Sequence, residues 1–127
     1  MNMEQQTPSE TEWQVMEIVW ASETSLTSQE IIKSMEQGDK SLSPKTIRVL
    51  INRLCQKEIL DYTVDEKDSR VYHYYAAKTK EECIKEKSRH FVDSYFSGNQ
   101  TKALATLITG AHLNDAQMKE LRKLLDM

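Results

Sequence analysis

One amphipathic segment, SPKTIRVLINRLCQK at residues 43–57, constrains the fold of this chain more than any other stretch. Ser43 suits a helix N-cap, and Pro44 suits the first helical position, where its missing N–H costs nothing. At about 100° per residue, one side of this helix is an apolar stripe. The stripe consists of Ile47, Leu50, Ile51 and Leu54. The segment therefore predicts a helix that docks onto a core by this stripe.

The opposite side of the predicted helix is polar and basic. It carries Lys45, Thr46, Arg48, Val49, Asn52, Arg53 and Gln56. Lys and Arg suit phosphates or guanine, Asn and Gln suit adenine, and a small methyl group suits thymine. From Lys40 to Lys57 there are five basic residues and no acidic one. This face predicts contact with the major groove of double-stranded DNA; the alternative is a surface helix with a solvated polar face.

The charge balance limits how the chain can bind nucleic acid. The chain has 127 residues and a net charge of −3, which excludes a generally basic surface. Residues 1–77 carry 8 basic and 13 acidic residues, a net charge of −5, while residues 78–127 carry 9 and 7, a net charge of +2. DNA binding must therefore come from a local patch, and the acidic remainder opposes non-specific association.

The sequence carries no signal of a membrane protein, a secreted protein, a metal-binding protein or an enzyme. No window approaches the 18 or more apolar residues of a membrane span, and the N-terminus does not resemble a signal peptide. Cys55 and Cys83 belong to no motif, so we expect a cytoplasmic protein with reduced thiols. The three histidines have no ligands at metal-binding spacing, and no catalytic motif occurs. We expect no cofactor, no metal and no enzymatic activity.

Two capping boxes precede the basic helix. Residues 9–12 open a helix to about Ala21, with Trp13 and Trp20 as core anchors. Residues 27–30 open a shorter helix that ends near Gly38-Asp39. Two helices followed by the 43–57 helix have the order of a helix-turn-helix.

The hydrophobic period changes after the basic helix. Residues 59–64 and 71–76 are rich in β-branched and aromatic types, and the charged residues 65–70 lie between them. This pattern predicts a β-hairpin, which makes residues 1–77 a winged-helix domain. Its tip carries Lys67 and Arg70, and Arg70 is a candidate phosphate contact.

From about Thr79 the helical period returns in three amphipathic segments. Three short helices over about 50 residues would form a thin core on their own. We therefore expect residues 78–127 to form a helical dimerisation domain that packs against a second copy. The predicted dimerisation residues are Phe91, Tyr95, Leu104, Leu107, Ile108, Leu121, Leu124 and Leu125.

Four runs together resemble the BlaI/MecI/CopY family of penicillinase and copper repressors. They are ETEWQVMEIVW, SPKTIRVLINRLCQKEIL, YHYYA and MKELRKLL, and the resemblance extends from about Ser9 to Leu125. It implies a mainly α protein with a winged helix-turn-helix, a helical dimerisation domain, and repression through a palindromic operator. By position in the motif, it implies that Lys45, Thr46, Arg48 and Arg53 face DNA and that Thr27 contacts a phosphate.

Two departures from the family bear on the signal that releases the repressor. Copper-responsive members end in paired CxC motifs, whereas the last 40 residues of this chain contain no cysteine. β-lactam-responsive members are cleaved at an Asn-Phe bond in the middle C-terminal helix, and residues 102–107 contain no such pair. An inactivating protease and a metal remain alternative release signals.

Two other functions stay open from the residues alone. A winged helix can act as a protein-interaction module that uses its basic helix to bind an acidic partner, without sequence-specific DNA binding. A ligand-sensing activator with a pocket at the dimer core is the second alternative.

Overall fold

The computed structural model describes residues 7–38 and 40–126. In these ranges the chain is mainly helical, with six helices and one two-stranded antiparallel sheet. None of the described helices combines the length and apolar character needed to cross a bilayer. The elements are α1 (Glu10–Ala21), α2 (Ser28–Gly38), α3 (Pro44–Gln56), β1 (Leu60–Val64), β2 (Tyr72–Ala76), α4 (Lys80–Phe96), α5 (Gln100–Ala111) and α6 (Asp115–Leu125).

Both predicted capping boxes are confirmed. At the start of α1, the Glu12 amide donates to Ser9 Oγ at 3.2 Å, and the Ser9 amide donates to Glu12 Oε1 at 3.0 Å. Thr27 and Glu30 form the same reciprocal pair before α2, at 2.9 and 3.2 Å. Each box satisfies two backbone donors that have no partner inside the helix, and thereby sets where the helix begins.

The first compact unit ends at Lys87 and contains the winged helix. Its core joins α1, α2, α3 and the hairpin, and the four residues of the predicted α3 stripe are all buried in it. Burial of one such Leu or Ile side chain contributes about 1.5–3 kcal/mol, which makes this stripe a main anchor of α3. Trp13 and Trp20 pack at the edge of the core with their rings edge to face, 5.1 Å between centroids.

The predicted hairpin is confirmed, with β1 pairing antiparallel to β2 in a register that places Tyr62 opposite Tyr74. The sequence reasoning missed a third segment of this sheet. Leu26, in the loop between α1 and α2, pairs with Tyr74 through two backbone hydrogen bonds of 2.7 and 2.9 Å. This bridge ties the hairpin to the connection that leads into α2.

The second compact unit begins at Ser88 and holds the end of α4 together with α5 and α6. Asn114 caps α6 and forms a capping box with Gln117. The preceding helix, α5, does not end at its glycine, Gly110. The helix continues to Ala111 and ends where His112 adopts a left-handed backbone at φ 51°. His112 therefore takes the C-terminal position that glycine usually occupies.

Candidate nucleic-acid interface

The polar face of α3 is exposed to solvent. All seven residues that the helical wheel places on this face are exposed, while the apolar stripe behind them is buried. Five predicted DNA contacts thus lie together on one helix face: Lys45, Thr46, Arg48, Asn52 and Arg53. Because the stripe is held in the core, these side chains project from a rigid element.

The N-terminus of α3 adds a positive end to this face. Ser43 Oγ accepts a hydrogen bond from the Thr46 amide at 3.1 Å, and the two hydroxyl oxygens lie 2.9 Å apart. The aligned peptide dipoles favour an anion at a helix N-terminus. The first turn of α3 carries no acidic residue that would oppose a phosphate there.

The cations of α3 are not neutralised within the protein. In the described ranges, no carboxylate lies within ion-pair distance of Lys45, Arg48 or Arg53. Their charges are therefore free to interact with phosphates or with the acceptor atoms of guanine.

Lys57, the last cation of the basic stretch, has a different role. Its Nζ lies 2.6 Å from Glu12 Oε1 and donates to the Thr7 carbonyl at 3.2 Å. The Glu12 side chain is only 3% exposed, so Lys57 compensates a buried carboxylate. Lys57 therefore joins α3 to the start of α1 and does not belong to the exposed basic face.

Thr27 lies just before α2 and is therefore not part of the α3 face. Its amide already donates to the Glu30 carboxylate, and its hydroxyl oxygen accepts from the Glu30 amide. Only the hydroxyl proton of Thr27 remains to donate to a phosphate oxygen. The nearby Glu30 carboxylate would repel that phosphate.

Arg70 lies in the loop of the hairpin and is exposed, but it is already paired. Its guanidinium contacts both carboxylate oxygens of Asp68, at 3.0 and 3.2 Å. These bonds hold the pKa of Asp68 below its usual value. Asp65 organises the same loop by accepting from His73 and from two backbone amides, which lower its pKa. A phosphate would have to compete with Asp68 for Arg70.

Neither cysteine has the exposed side chain and lowered pKa that are typical of a reactive thiol. Cys83 is fully buried and Cys55 is partly buried, and burial raises the pKa of both thiols above the ordinary value. A raised pKa keeps a thiol protonated and unreactive near neutral pH. Among the described residues, no group of three or more His, Cys, Asp or Glu side chains is arranged to hold a metal ion.

The predicted dimerisation residues lie on a weakly buried unit. From residue 88 to residue 126, Ala103 is the one described residue in the buried class. Leu121 is half-buried, and the other seven predicted residues are exposed, from 37% for Phe91 to 76% for Tyr95. Most of the large apolar side chains of this unit are therefore exposed rather than packed in a core.

Comparison with known proteins relates this architecture to a repressor family. The family model for the penicillinase repressor matches residues 8–127. The chain is 33% identical over 116 residues to a penicillinase repressor of Staphylococcus aureus, which covers 91% of this chain and 87% of that protein. It is 30% identical over 118 residues to the methicillin resistance regulatory protein MecI of the same species. That alignment covers 93% of this chain and 92% of MecI.

A solved structure supports the same relationship. The solution structure of the DNA-binding domain of the repressor BlaI matches with a TM-score of 0.50 at 29% identity. The match covers 57% of this chain and 82% of that one. The chain thus belongs to the penicillinase repressor family, whose members are DNA-binding transcriptional repressors and not enzymes.

Proposed function

We propose that this protein represses transcription as a homodimer that binds a two-fold symmetric operator, with α3 of each protomer in one major groove. The observation that carries the proposal is the division of α3 into a buried Ile/Leu stripe and an exposed face of Lys45, Arg48 and Arg53. A helix held by one side and basic on the other has the properties that groove reading requires.

The residues proposed to contact DNA have different roles. Arg48, Asn52 and Arg53 carry groups that can pair with base edges, while Lys45 and Thr46 lie in the first turn, where a phosphate is favoured. Thr27 and Arg70 are proposed as weaker phosphate contacts, because each already has a carboxylate partner.

The DNA-binding part of the proposal is tested by gel shift with the full-length protein, duplexes selected from a random pool, and competitor DNA. Arg48→Ala or Arg53→Ala should weaken specific binding by about 1–3 kcal/mol if the arginine pairs with guanine. If the arginine binds a phosphate instead, affinity should fall for all sequences alike and the salt dependence should flatten.

The matched control is Arg89→Ala, which removes an exposed arginine from α4 and should leave DNA binding unchanged. If Arg48→Ala and Arg53→Ala bind DNA as the parent does, the assignment of this face is wrong. Binding to acidic proteins without any sequence preference for DNA would favour the protein-interaction module.

The homodimer is proposed because the second unit cannot bury its apolar surface alone. Leu104 and Leu107 on α5 are 59% and 55% exposed, and Leu124 and Leu125 on α6 are 61% and 73% exposed. Monomeric proteins rarely expose large apolar patches, so these exposed leucines favour a partner surface that covers them. A second copy presents the same side chains about a two-fold axis, which also matches the symmetry of an operator.

The homodimer is tested by sedimentation at tens of micromolar. We expect a dimer for the parent and a monomer for Leu104→Lys, because a lysine cannot be buried in an apolar interface without a partner. Thr109→Lys is the control, since Thr109 is exposed on α5 and lies about 140° around the helix from Leu104. A monomeric parent protein would refute the homodimer.

We further propose that a signal linked to β-lactams releases the repressor, because both relatives carry names connected with resistance to these compounds. Immunoblots of β-lactam-treated cells should then show loss or shortening of the chain together with derepression. Derepression by copper with an intact chain would instead support a metal signal.

A further inference from the structure

An aliphatic side chain occupies the centre of the polar face of α3. Val49 is 41% exposed, whereas each of the other aliphatic residues of this helix is at most 5% exposed. At about 100° per residue, Lys45 and Arg53 lie about 40° to either side of Val49. Val49 is therefore outside the core and is flanked by cations suited to a DNA backbone or to guanine.

The fold of the protein gives no reason for a valine at this position. Valine forms helices less readily than alanine or lysine. An exposed aliphatic side chain also contributes little hydrophobic stabilisation to the fold. Its χ1 angle is restricted to essentially one rotamer in a helix. Val49 therefore presents its methyl groups in a fixed direction, toward whatever α3 contacts.

We propose that Val49 contacts the C5-methyl group of a thymine and so determines part of the operator sequence, an inference that rests on the proposed DNA binding by α3. Thymine is the standard base that displays a methyl group in the major groove. Contact between that methyl group and Val49 removes both from water, while Lys45 and Arg53 hold the helix at the correct depth.

The test is a double-mutant cycle between the protein and the DNA. Operator duplexes are first selected from a random pool with the full-length protein. Each thymine in turn is then replaced by deoxyuridine, which lacks only the C5-methyl group. At one thymine of each half-site, this replacement should weaken binding of the parent protein about fourfold, the value of burying one methyl-sized group. The same replacement should have a clearly smaller effect on Val49→Ala, whose shorter side chain buries less of the thymine methyl group.

Val64→Ala is the matched control, because Val64 is also an exposed valine, at 48%, but lies on β1. It should retain the full sensitivity to deoxyuridine. If the protein selects a defined operator and no thymine is coupled to Val49, the role of Val49 is refuted and DNA binding by α3 stands. If no sequence is selected at all, the proposed function fails and the role of Val49 fails with it.

Discussion

At the scale of single residues, the ion pair of Lys57 with Glu12 gives this lysine a structural role within the protein. Its place in a basic stretch assigns it to the same group as Arg53, yet its ammonium compensates the buried Glu12 carboxylate. The two residues are 45 positions apart, so no local pattern reveals the pair. The exposure of Arg48 and Arg53, by contrast, follows from helical periodicity alone, because that period depends only on neighbours within a few turns.

Replacing Lys57 should therefore affect stability rather than DNA contacts. We expect Lys57→Met to lower the free energy of unfolding by about 3 kcal/mol, because removal of one partner leaves a buried charge uncompensated. This is the lower end for a buried pair, since the Lys57 side chain is still 20% exposed. Urea unfolding followed by tryptophan fluorescence measures this change directly, since both tryptophans, Trp13 and Trp20, lie in the winged-helix unit.

Lys33→Met is the control, because it removes an exposed lysine from α2 and should change stability by less than about 0.5 kcal/mol. Equal stability of Lys57→Met and the parent would show that the ion pair contributes nothing. Loss of DNA affinity without loss of stability would place Lys57 in the DNA interface after all.

At the scale of elements, the C-terminus of α3 is held by a strained residue. Glu58 has φ 62°, in the left-handed region that favours glycine. Two backbone hydrogen bonds of 3.0 Å close this turn, from Glu58 to the Cys55 carbonyl and from Ile59 to the Leu54 carbonyl. This pattern is a Schellman motif, and it directs the chain from α3 into β1.

We expect Glu58→Gly to raise the free energy of unfolding by about 1 kcal/mol, because glycine adopts the left-handed conformation without a steric cost. The midpoint of urea unfolding should rise while its slope stays constant. Glu58→Ala separates this effect from loss of the carboxylate, since alanine keeps the backbone cost. If the glycine variant is no more stable than the alanine variant, the backbone at Glu58 is not strained.

Sequence reasoning worked best for elements defined by local chemistry. The two capping boxes, the α3 stripe and the hairpin each depend on residues close together in the chain, and all of them are present. The Leu26–Tyr74 bridge was missed because a single paired residue has no periodicity to detect. The cap of α5 has no sequence signal either, because His112 takes the left-handed conformation that glycine usually adopts.

At the scale of the whole molecule, the chain combines an overall charge of −3 with one locally basic helix face. The acidic remainder opposes non-specific attraction to DNA, so most of the affinity must come from a few well-placed contacts. The proposed homodimer would double those contacts and would also cover the apolar side chains of the second unit. Dimerisation would therefore contribute both to stability and to operator recognition.

Hydroxyl-radical footprinting of the full-length protein on a selected operator tests the central claim most directly. We predict two protected half-sites related by two-fold symmetry, with centres about 10 or 20 base pairs apart, so that α3 of each protomer enters a major groove on one side of the duplex. A single asymmetric footprint, or half-sites on opposite sides of the duplex, would contradict the account.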